Sequence, residues 1–446
     1  MSRNLLDKAK PEAGNGQKPK RKFLFVSYDG LIGDVAWKVL QEGHEVRYAV
    51  SNPDDQEVGA GFVPMIGDWR PEVDWADVIV FDDVLGMGEE AQALRERGKP
   101  VVGGTPYTDR LEDDRSFGQE ELKKHGISII PYRHFDSFED AISFVRENPA
   151  RYVIKPSGEA QNLKGLLFIG EEEDGSDVIQ VLSDYHKAWA KKIPSFQLQR
   201  RVVGVEVAVG AFFNGSEFIY PINVNFEHKK LFPGDLGPST GEMGTAMFWS
   251  GPNRMFNQTL KKIEKRLAEE HYVGYIDLNC IVSGNNIYPL EFTARFGYPT
   301  IFIQQEGITL PIGDFLYGLA TGELKSFKAR SGFQVGVRIV VPPFPFTDPE
   351  TFAVKSKDTI IHFRKGTEGV HFEDVKLVNG EWVITGNSGV ILVVVGMGPT
   401  MKQAQKQAYA RIRNIIIPHM YYRVDIGDRW FEDSDKLHSW GYLRES

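Results

Sequence analysis

Between Phe23 and Gly103, short apolar runs alternate with segments of helical length, and no other feature narrows the possible folds so far. Phe23-Leu24-Phe25-Val26-Ser27 reads as a buried strand, and a helix near Val35–Glu42 follows, closed by Gly43. Glu45–Val50, Asp77–Phe81 and Pro100–Gly103 read as further strands, with a helix over Glu89–Arg97 that ends at Gly98. Strands that are apolar on every position need cover on both faces, and helical crossovers supply it. The alternation therefore predicts a small doubly wound parallel sheet over residues 21–104. Its first turn, Ser27-Tyr28-Asp29-Gly30-Leu31-Ile32-Gly33, lacks the glycines that let a backbone approach a pyrophosphate, so a dinucleotide-dependent oxidoreductase is disfavoured.

Beyond residue 104 the texture changes to an α+β pattern. Helices are predicted at Arg115–His125, Phe138–Glu147 and Leu260–Glu270. Strands are predicted at Tyr152–Pro156, Leu166–Ile169, Phe196–Arg200 and Val205–Phe213, with a hairpin of Tyr275–Val282 and Ile287–Phe292 around Ser283-Gly284-Asn285-Asn286. From about 333 onward the chain reads mostly as strands, with a helix at Met401–Ile416. At 446 residues the chain suits about three domains: an N-terminal α/β unit (21–104), a central unit (105–330) with a lid at about 150–210, and a mostly β C-terminal unit (331–446). Residues 1–20, rich in Pro, Gly and Lys, read as a flexible tail without the apolar core of a secretory signal.

Composition removes several function classes. A single cysteine, Cys280, excludes a disulfide framework and a cysteine zinc site within one chain. A net charge of −9 argues against a general nucleic-acid binder. The apolar run Val390–Val395 is too short to span a bilayer. A cytoplasmic protein, monomer or dimer, acting on small molecules and not on membranes or nucleic acids, is the expectation.

Several residues invite chemistry. Lys155 ends a buried strand before Pro156-Ser157-Gly158, where its ammonium can meet a phosphate, and Lys164-Gly165 lies in the polar loop that follows. Gln199 closes one strand and Glu206 opens the next; together they can read an adenine amine and a ribose diol, while strand alternation equally allows Glu206 to face solvent. Asp277 and Glu291 interrupt the two apolar strands of the predicted hairpin. Two buried carboxylates need a cation, and hard oxygen ligands suit Mg²⁺; pairing with an arginine such as Arg295 is the competing explanation. Asp235–Gly244 is a long glycine-rich loop able to offer backbone N–H groups to an anion.

These pieces, in this order, resemble the ATP-grasp ligases and, within them, the phosphoribosylamine–glycine ligase family. The resemblance covers roughly residues 100–430. It is carried by Asp235–Gly244, by Leu290-Glu291-Phe292-Thr293-Ala294-Arg295-Phe296-Gly297, by Tyr422-Arg423-Val424-Asp425-Ile426-Gly427, and by the strand, turn and helix between Thr385 and Ile412. It implies ATP and Mg²⁺ as cofactors, with Lys155 and Arg115 on the phosphates, Lys164 in a covering loop and Gln199 in the hinge. Glu206 is implied on the ribose, and Glu291, Thr293 and Asp277 at the metal. Arg295 is implied to stabilise the transferring phosphate or the tetrahedral intermediate. His228, Lys229, Asp235, Pro238, Thr240, Gly241, Met243 and Gly244 are implied to line the substrate side. The implied activity joins a carboxylate, such as that of glycine, to an amine through an acyl phosphate.

The chain departs from the family at Leu163, Gln199, Thr293 and Arg115, which leaves a non-catalytic ATP-grasp binding protein as a rival reading. The family's N-terminal Gly-Gly-Arg-Glu-His and Gly-Pro-Glu runs are replaced by Asp29–Asp34 and Asp82-Asp83-Val84. Acids do not welcome a phosphate, so the expected acceptor is an amine other than phosphoribosylamine; a diverged phosphoribosylamine–glycine ligase is the alternative.

Overall fold

The computed structural model, which describes residues 19–84, 86–157 and 166–443, turns the first apolar runs into a five-stranded parallel sheet. Its spatial order is Met65–Ile66, Glu45–Val50, Lys22–Ser27, Val78–Phe81, Val101–Val102. Phe23–Val26 and Val78–Phe81 are at most 1% exposed, the consequence of cover on both faces. Helices Gly33–Gln41 and Gly88–Glu96 fall where the pattern placed them. The edge strand Met65–Ile66 is too short to show any alternation and had no prediction.

The second sheet is antiparallel and carries the middle and C-terminal parts of the chain together. Its order is Asn286–Thr293, Val273–Ser283, Val205–Asn214, Phe218–Glu227, Gly244–Ser250, Phe333–Val340, Val390–Gly398, Val370–Phe372. Because Phe333–Val340 pairs with Gly244–Ser250 on one side and Val390–Gly398 on the other, hydrogen bonding runs without a break past residue 330. The predicted hairpin forms with Ser283 opposite Asn286, Asp277 opposite Thr293 and Asn279 opposite Glu291. Opposed and alternate residues share a face of a sheet, so Asp277, Asn279, Glu291 and Thr293 project together.

A separate four-stranded sheet, ordered Tyr132–Phe135, Phe196–Arg200, Tyr152–Pro156, Phe168–Ile169, spans the segment predicted as a lid. Ile154, Phe196 and Leu198 on one face pack against Phe138, Ala141 and Val145 of helix Phe138–Glu147 and Val178 and Leu182 of helix Ser176–Trp189. The lid thus draws an edge strand and a helix from residues 132–147, ahead of the span read from sequence. Near the C-terminus the predicted helix stops at Ile412, and Ile415–Ile416 instead pairs with Ile360–Phe363, as suits β-branched side chains. Among the described residues no helix is long and apolar enough to cross a membrane.

Candidate active site

The hairpin carboxylates meet a lysine. Lys229, just past the end of Phe218–Glu227, places Nζ 2.7 Å from Glu291 Oε1, 3.4 Å from Glu227 Oε2 and 3.5 Å from Glu206 Oε1. Asn279 Nδ2 donates to Glu206 Oε1 at 2.9 Å. The Glu291 side chain is 57% exposed, so the expectation of two buried carboxylates holds for Asp277 alone; Lys229, with Lys155 and Arg115 beyond it, pulls the Glu291 carboxyl down to about 2. Burial, and then the Glu227 charge, hold Asp277 well above the usual carboxylate range; it is 2% exposed and its Oδ1 has no partner. Arg295 does not pair with Asp277 or Glu291: its Nη2 lies 2.8 Å from Glu112 Oε1. Glu112 also accepts from the Ala294 backbone N–H at 3.0 Å. No three acidic side chains among the described residues stand close enough to hold a metal by themselves; Glu291 and Asp277, with Asn279 and Thr293 beside them in the hairpin, offer oxygen donors that suit a hard divalent cation completed by phosphates or water.

The lid brings the phosphate-binding candidates over this floor. Lys155 lies opposite Gln197, and Gln199 opposite Val153, so Lys155, Gln197 and Gln199 share the lid face turned away from its apolar core. Gln197 meets Gln119 of helix Arg115–Lys124 at 3.4 Å. Asp114 caps that helix by accepting from the Phe117 N–H at 3.0 Å, which sets Arg115 on its first turn. Arg115 Nη1 donates to the Pro156 carbonyl at 3.1 Å. Burial, with the Arg115 charge beside it, lowers Lys155 to about 8. Lys164 and Gly165 lie outside the described residues.

The glycine-rich segment is organised differently from a free loop. Lys230–Phe232 and Leu236–Ser239, which includes Pro238, form a small antiparallel ribbon, and Asp235 takes the positive-φ position between them. Arg423, 1% exposed, binds Asp235 at 2.8 Å, Asp425 at 2.7 Å and the Lys230 carbonyl at 2.9 Å, and Asp425 accepts from the Gly234 N–H at 2.9 Å. His228 is fully buried, and its Nε2 accepts from the Gly427 N–H at 3.3 Å. Burial and the Arg429 charge lower His228 to about 4. Met243 is in a small apolar core with Leu231, Val340, Phe344 and Val390. Thr240 donates through Oγ1 to the Lys229 carbonyl at 2.8 Å. A Cβ on Gly244 would meet Ile426 at 3.0 Å, whereas Gly241 borders open space. Of the residues read as substrate contacts, His228, Asp235 and Met243 are thus engaged in holding the C-terminal segment, and Lys229 belongs to the carboxylate floor.

Glu227 and Asn279 were not singled out from sequence; a polar residue two positions from Asp277 in an apolar strand was the available signal for Asn279. Arg429 was missed too. It donates to the backbone carbonyls of Glu206 at 2.8 Å and Glu227 at 2.9 Å, tying together the two strands that carry these carboxylates.

At the carboxyl ends of the parallel strands the acids divide. Asp34 is consumed inside the fold, bound to His371 Nδ1 at 2.8 Å and the Phe372 N–H at 3.0 Å. Asp83 accepts from the Met87 N–H at 2.6 Å. Asp82 accepts from Ser27 Oγ and is raised by burial to about 7. Asn52 donates to Asp29 at 2.9 Å and Asp55 at 2.7 Å, and burial and then Asp29 raise Asp55 to about 7. Neighbouring cations are already engaged: Arg95 donates to the Gly104 carbonyl at 2.8 Å, and Arg338 Nη2 pairs with Glu373 at 2.8 Å.

Residues 113–301 match the family described as Phosphoribosylglycinamide synthetase, ATP-grasp (A) domain, and residues 337–429 match the C domain of the same synthetase. A phosphoribosylamine–glycine ligase of Rhizobium meliloti is 25% identical over 437 residues, which is 92% of this chain and 98% of the relative. One from Neisseria meningitidis serogroup B is 26% identical over 359 residues, covering 75% of this chain and 80% of the relative. The crystal structure of phosphoribosylamine–glycine ligase from Thermotoga maritima superposes with a TM-score of 0.66 at 22% identity, covering 91% of this chain and all of that one. The biotin carboxylase domain of the Hydrogenobacter thermophilus 2-oxoglutarate carboxylase, solved with MgADP and bicarbonate, gives 0.61 at 14% identity over 96% of this chain and 99% of that one. These structural likenesses are of fold.

Proposed function

Because the chain is an ATP-grasp ligase of the phosphoribosylglycinamide synthetase type, a carboxylate–amine ligase that uses ATP to form a C–N bond, we propose that it couples a small amino acid such as glycine to an amine that carries no phosphate. A carboxylate oxygen of the amino acid attacks the γ-phosphorus and ADP leaves. The amine nitrogen then attacks the acyl carbon, the C–O bond to phosphate breaks, and the nitrogen loses a proton. Steps of this kind depend on positioning and on charge placed where the transition state needs it. Lys155 and Arg115 balance the polyphosphate from the lid side, and Glu206 faces the ribose. Glu291, with Asp277 and Asn279, would hold a Mg²⁺ ion, which would supply neutralisation of the phosphate oxygens. Arg295, fixed by Glu112, faces the reacting centre.

The ligase reading is carried by one observation: Lys229 gathers Glu206, Glu227 and Glu291 within 3.5 Å of its Nζ, and Arg115 Nη1, 3.1 Å from the Pro156 carbonyl, holds the strand end that carries Lys155 beside them, although these residues come from five separate elements. The acceptor reading is supported by the acids at the strand ends, where Asp29 and Asp55 share Asn52 and Asp82 and Asp83 follow the neighbouring strand, while Arg95, Arg295 and Arg338 are spent on internal partners. That field favours a cationic or hydroxyl-rich amine over a phosphate ester. The names of the curated relatives favour the second reading, a diverged phosphoribosylamine–glycine ligase. Phosphate release with glycine and a panel of amines decides between them. Turnover is expected with an unphosphorylated hydroxylated amine and at least tenfold lower kcat/KM with freshly generated phosphoribosylamine. Efficient formation of glycinamide ribonucleotide overturns the altered acceptor.

A further inference from the structure

One ammonium is shared by three carboxylates on the floor of the cleft. Lys229 Nζ stands within 3.5 Å of Glu291, Glu227 and Glu206, nearest to Glu291 at 2.7 Å. Behind it lie two further acids with unpartnered buried oxygens, Asp277 Oδ1 and Glu242 Oε1. Among the described residues no three Asp, Glu, His or Cys side chains are gathered closely enough to hold a metal ion. The oxygen set suits a hard cation, yet the position central to Glu206, Glu227 and Glu291 belongs to a side chain. A lysine is a compact point charge on a flexible four-carbon stem, so it can leave these carboxylates for phosphate oxygens without moving the backbone. Carboxylates this close repel one another strongly unless a cation stands between them.

We propose that Lys229 is a tethered counter-ion that neutralises Glu206, Glu227 and Glu291 and keeps a divalent cation off Glu291 until nucleotide enters. With ATP bound the ammonium transfers to the phosphates, and the Glu291 carboxylate becomes free to ligate a cation that the phosphates share. The free enzyme therefore binds divalent metal poorly, and metal and nucleotide bind together. Lys229 acts here as a positioning residue for the cation site. The inference rests on the ATP-grasp reading of the cleft but not on the identity of the acceptor.

Mn²⁺ is the probe, measured by electron paramagnetic resonance on the full chain without nucleotide. Lys229→Met removes the charge and keeps most of the volume; Lys229→Gln also keeps a hydrogen-bond donor and serves if the first variant does not fold. Each is expected to bind Mn²⁺ at least tenfold more tightly than the wild type, whereas Lys229→Arg stays close to the wild type. A role confined to packing moves none of these affinities. Equal Mn²⁺ affinity in the wild type and the neutral variants, or tight nucleotide-free binding by the wild type, overturns the inference. No substrate is present, so this failure is separate from that of the acceptor reading. Turnover with phosphoribosylamine would remove that reading and leave this one intact.

Discussion

Lys155 shows how an ordinary residue becomes an informative one. On sequence alone it is a lysine before a proline; in the lid sheet it stands on the same face as Gln197, close to Arg115. Burial and the neighbouring guanidinium bring its folded pKa from the usual lysine range to about 8. The sign follows directly. Below pH 8 the free enzyme offers a charged ammonium to ATP; above it, ATP binding has to recruit a proton. ATP affinity should be flat between pH 7 and 7.5 and weaken by about tenfold per pH unit above 8.5. Lys155→Met should bind ATP about ten- to a hundredfold more weakly, the loss expected for a hydrogen bond to a charged group, with no pH dependence in that range. Calorimetric titration with ATP at several pH values checks both. A flat profile in the wild type would mean that this lysine does not reach the phosphates.

At the scale of elements, the hairpin of Val273–Ser283 and Asn286–Thr293 aims its carboxylates through register, and the strand beside it makes room. Gly210 lies opposite Asp277 on Val205–Asn214, and a Cβ there would run into the Tyr275 hydroxyl first and approach Asp277 Cβ to 2.7 Å. Gly210→Ala should therefore push both the Tyr275 hydroxyl and the Asp277 side chain aside. Overpacking of this kind costs about 1–3 kcal/mol, visible as a lowered Tm. Turnover should fall at least tenfold, with ATP affinity within twofold of wild type, because Lys155 and Arg115 stand on other elements. Loss of stability with unchanged kcat would show that Asp277 serves the fold and not the reaction. The hairpin was legible because both strands and their turn lie within twenty-one residues. That Gly210 must be small was not, since the strand supplying it is far away in sequence.

Across the whole molecule, the first domain is latched to the far edge of the large sheet. Asp34, on helix Gly33–Gln41, binds His371 at 2.8 Å and the Phe372 N–H at 3.0 Å across 337 and 338 residues. Burial alone would lower the imidazole; Asp34 and Glu306 outweigh it and raise His371 to about 9. A histidine raised in the folded state contributes stability that is full below its unfolded pKa near 6.5 and is lost as pH rises through 9. Thermal denaturation should show Tm falling across that window. Asp34→Asn should cost about 3 kcal/mol, since it takes the nearer of two carboxylates from a buried imidazolium and leaves only Glu306, and should weaken the dependence. A wild-type Tm constant from pH 6.5 to 9.5 would show that this pair does not carry the latch. Asp34 was read as a cleft acid because it follows the first turn, and only the returning strand Val370–Phe372 reveals its partner.

The first parallel sheet, the lysine-ended lid strand and the acid-bearing hairpin were determined by the sequence by itself. Each follows from periodicity and turn chemistry spread over a few dozen residues, which local backbone preference enforces. Tertiary structure decided which side chains of those elements meet. Lys229 and Glu227 joined the floor only when Phe218–Glu227 was aligned with the hairpin through the intervening strand Val205–Asn214. The glycine-rich segment and the Arg423–Gly427 motif proved to be two halves of one clasp, closed by Arg423 on Asp235 across 188 residues. A charge in a strand announces that it needs a partner, but which partner it finds depends on register between distant segments, and the order of residues along the chain does not record that register.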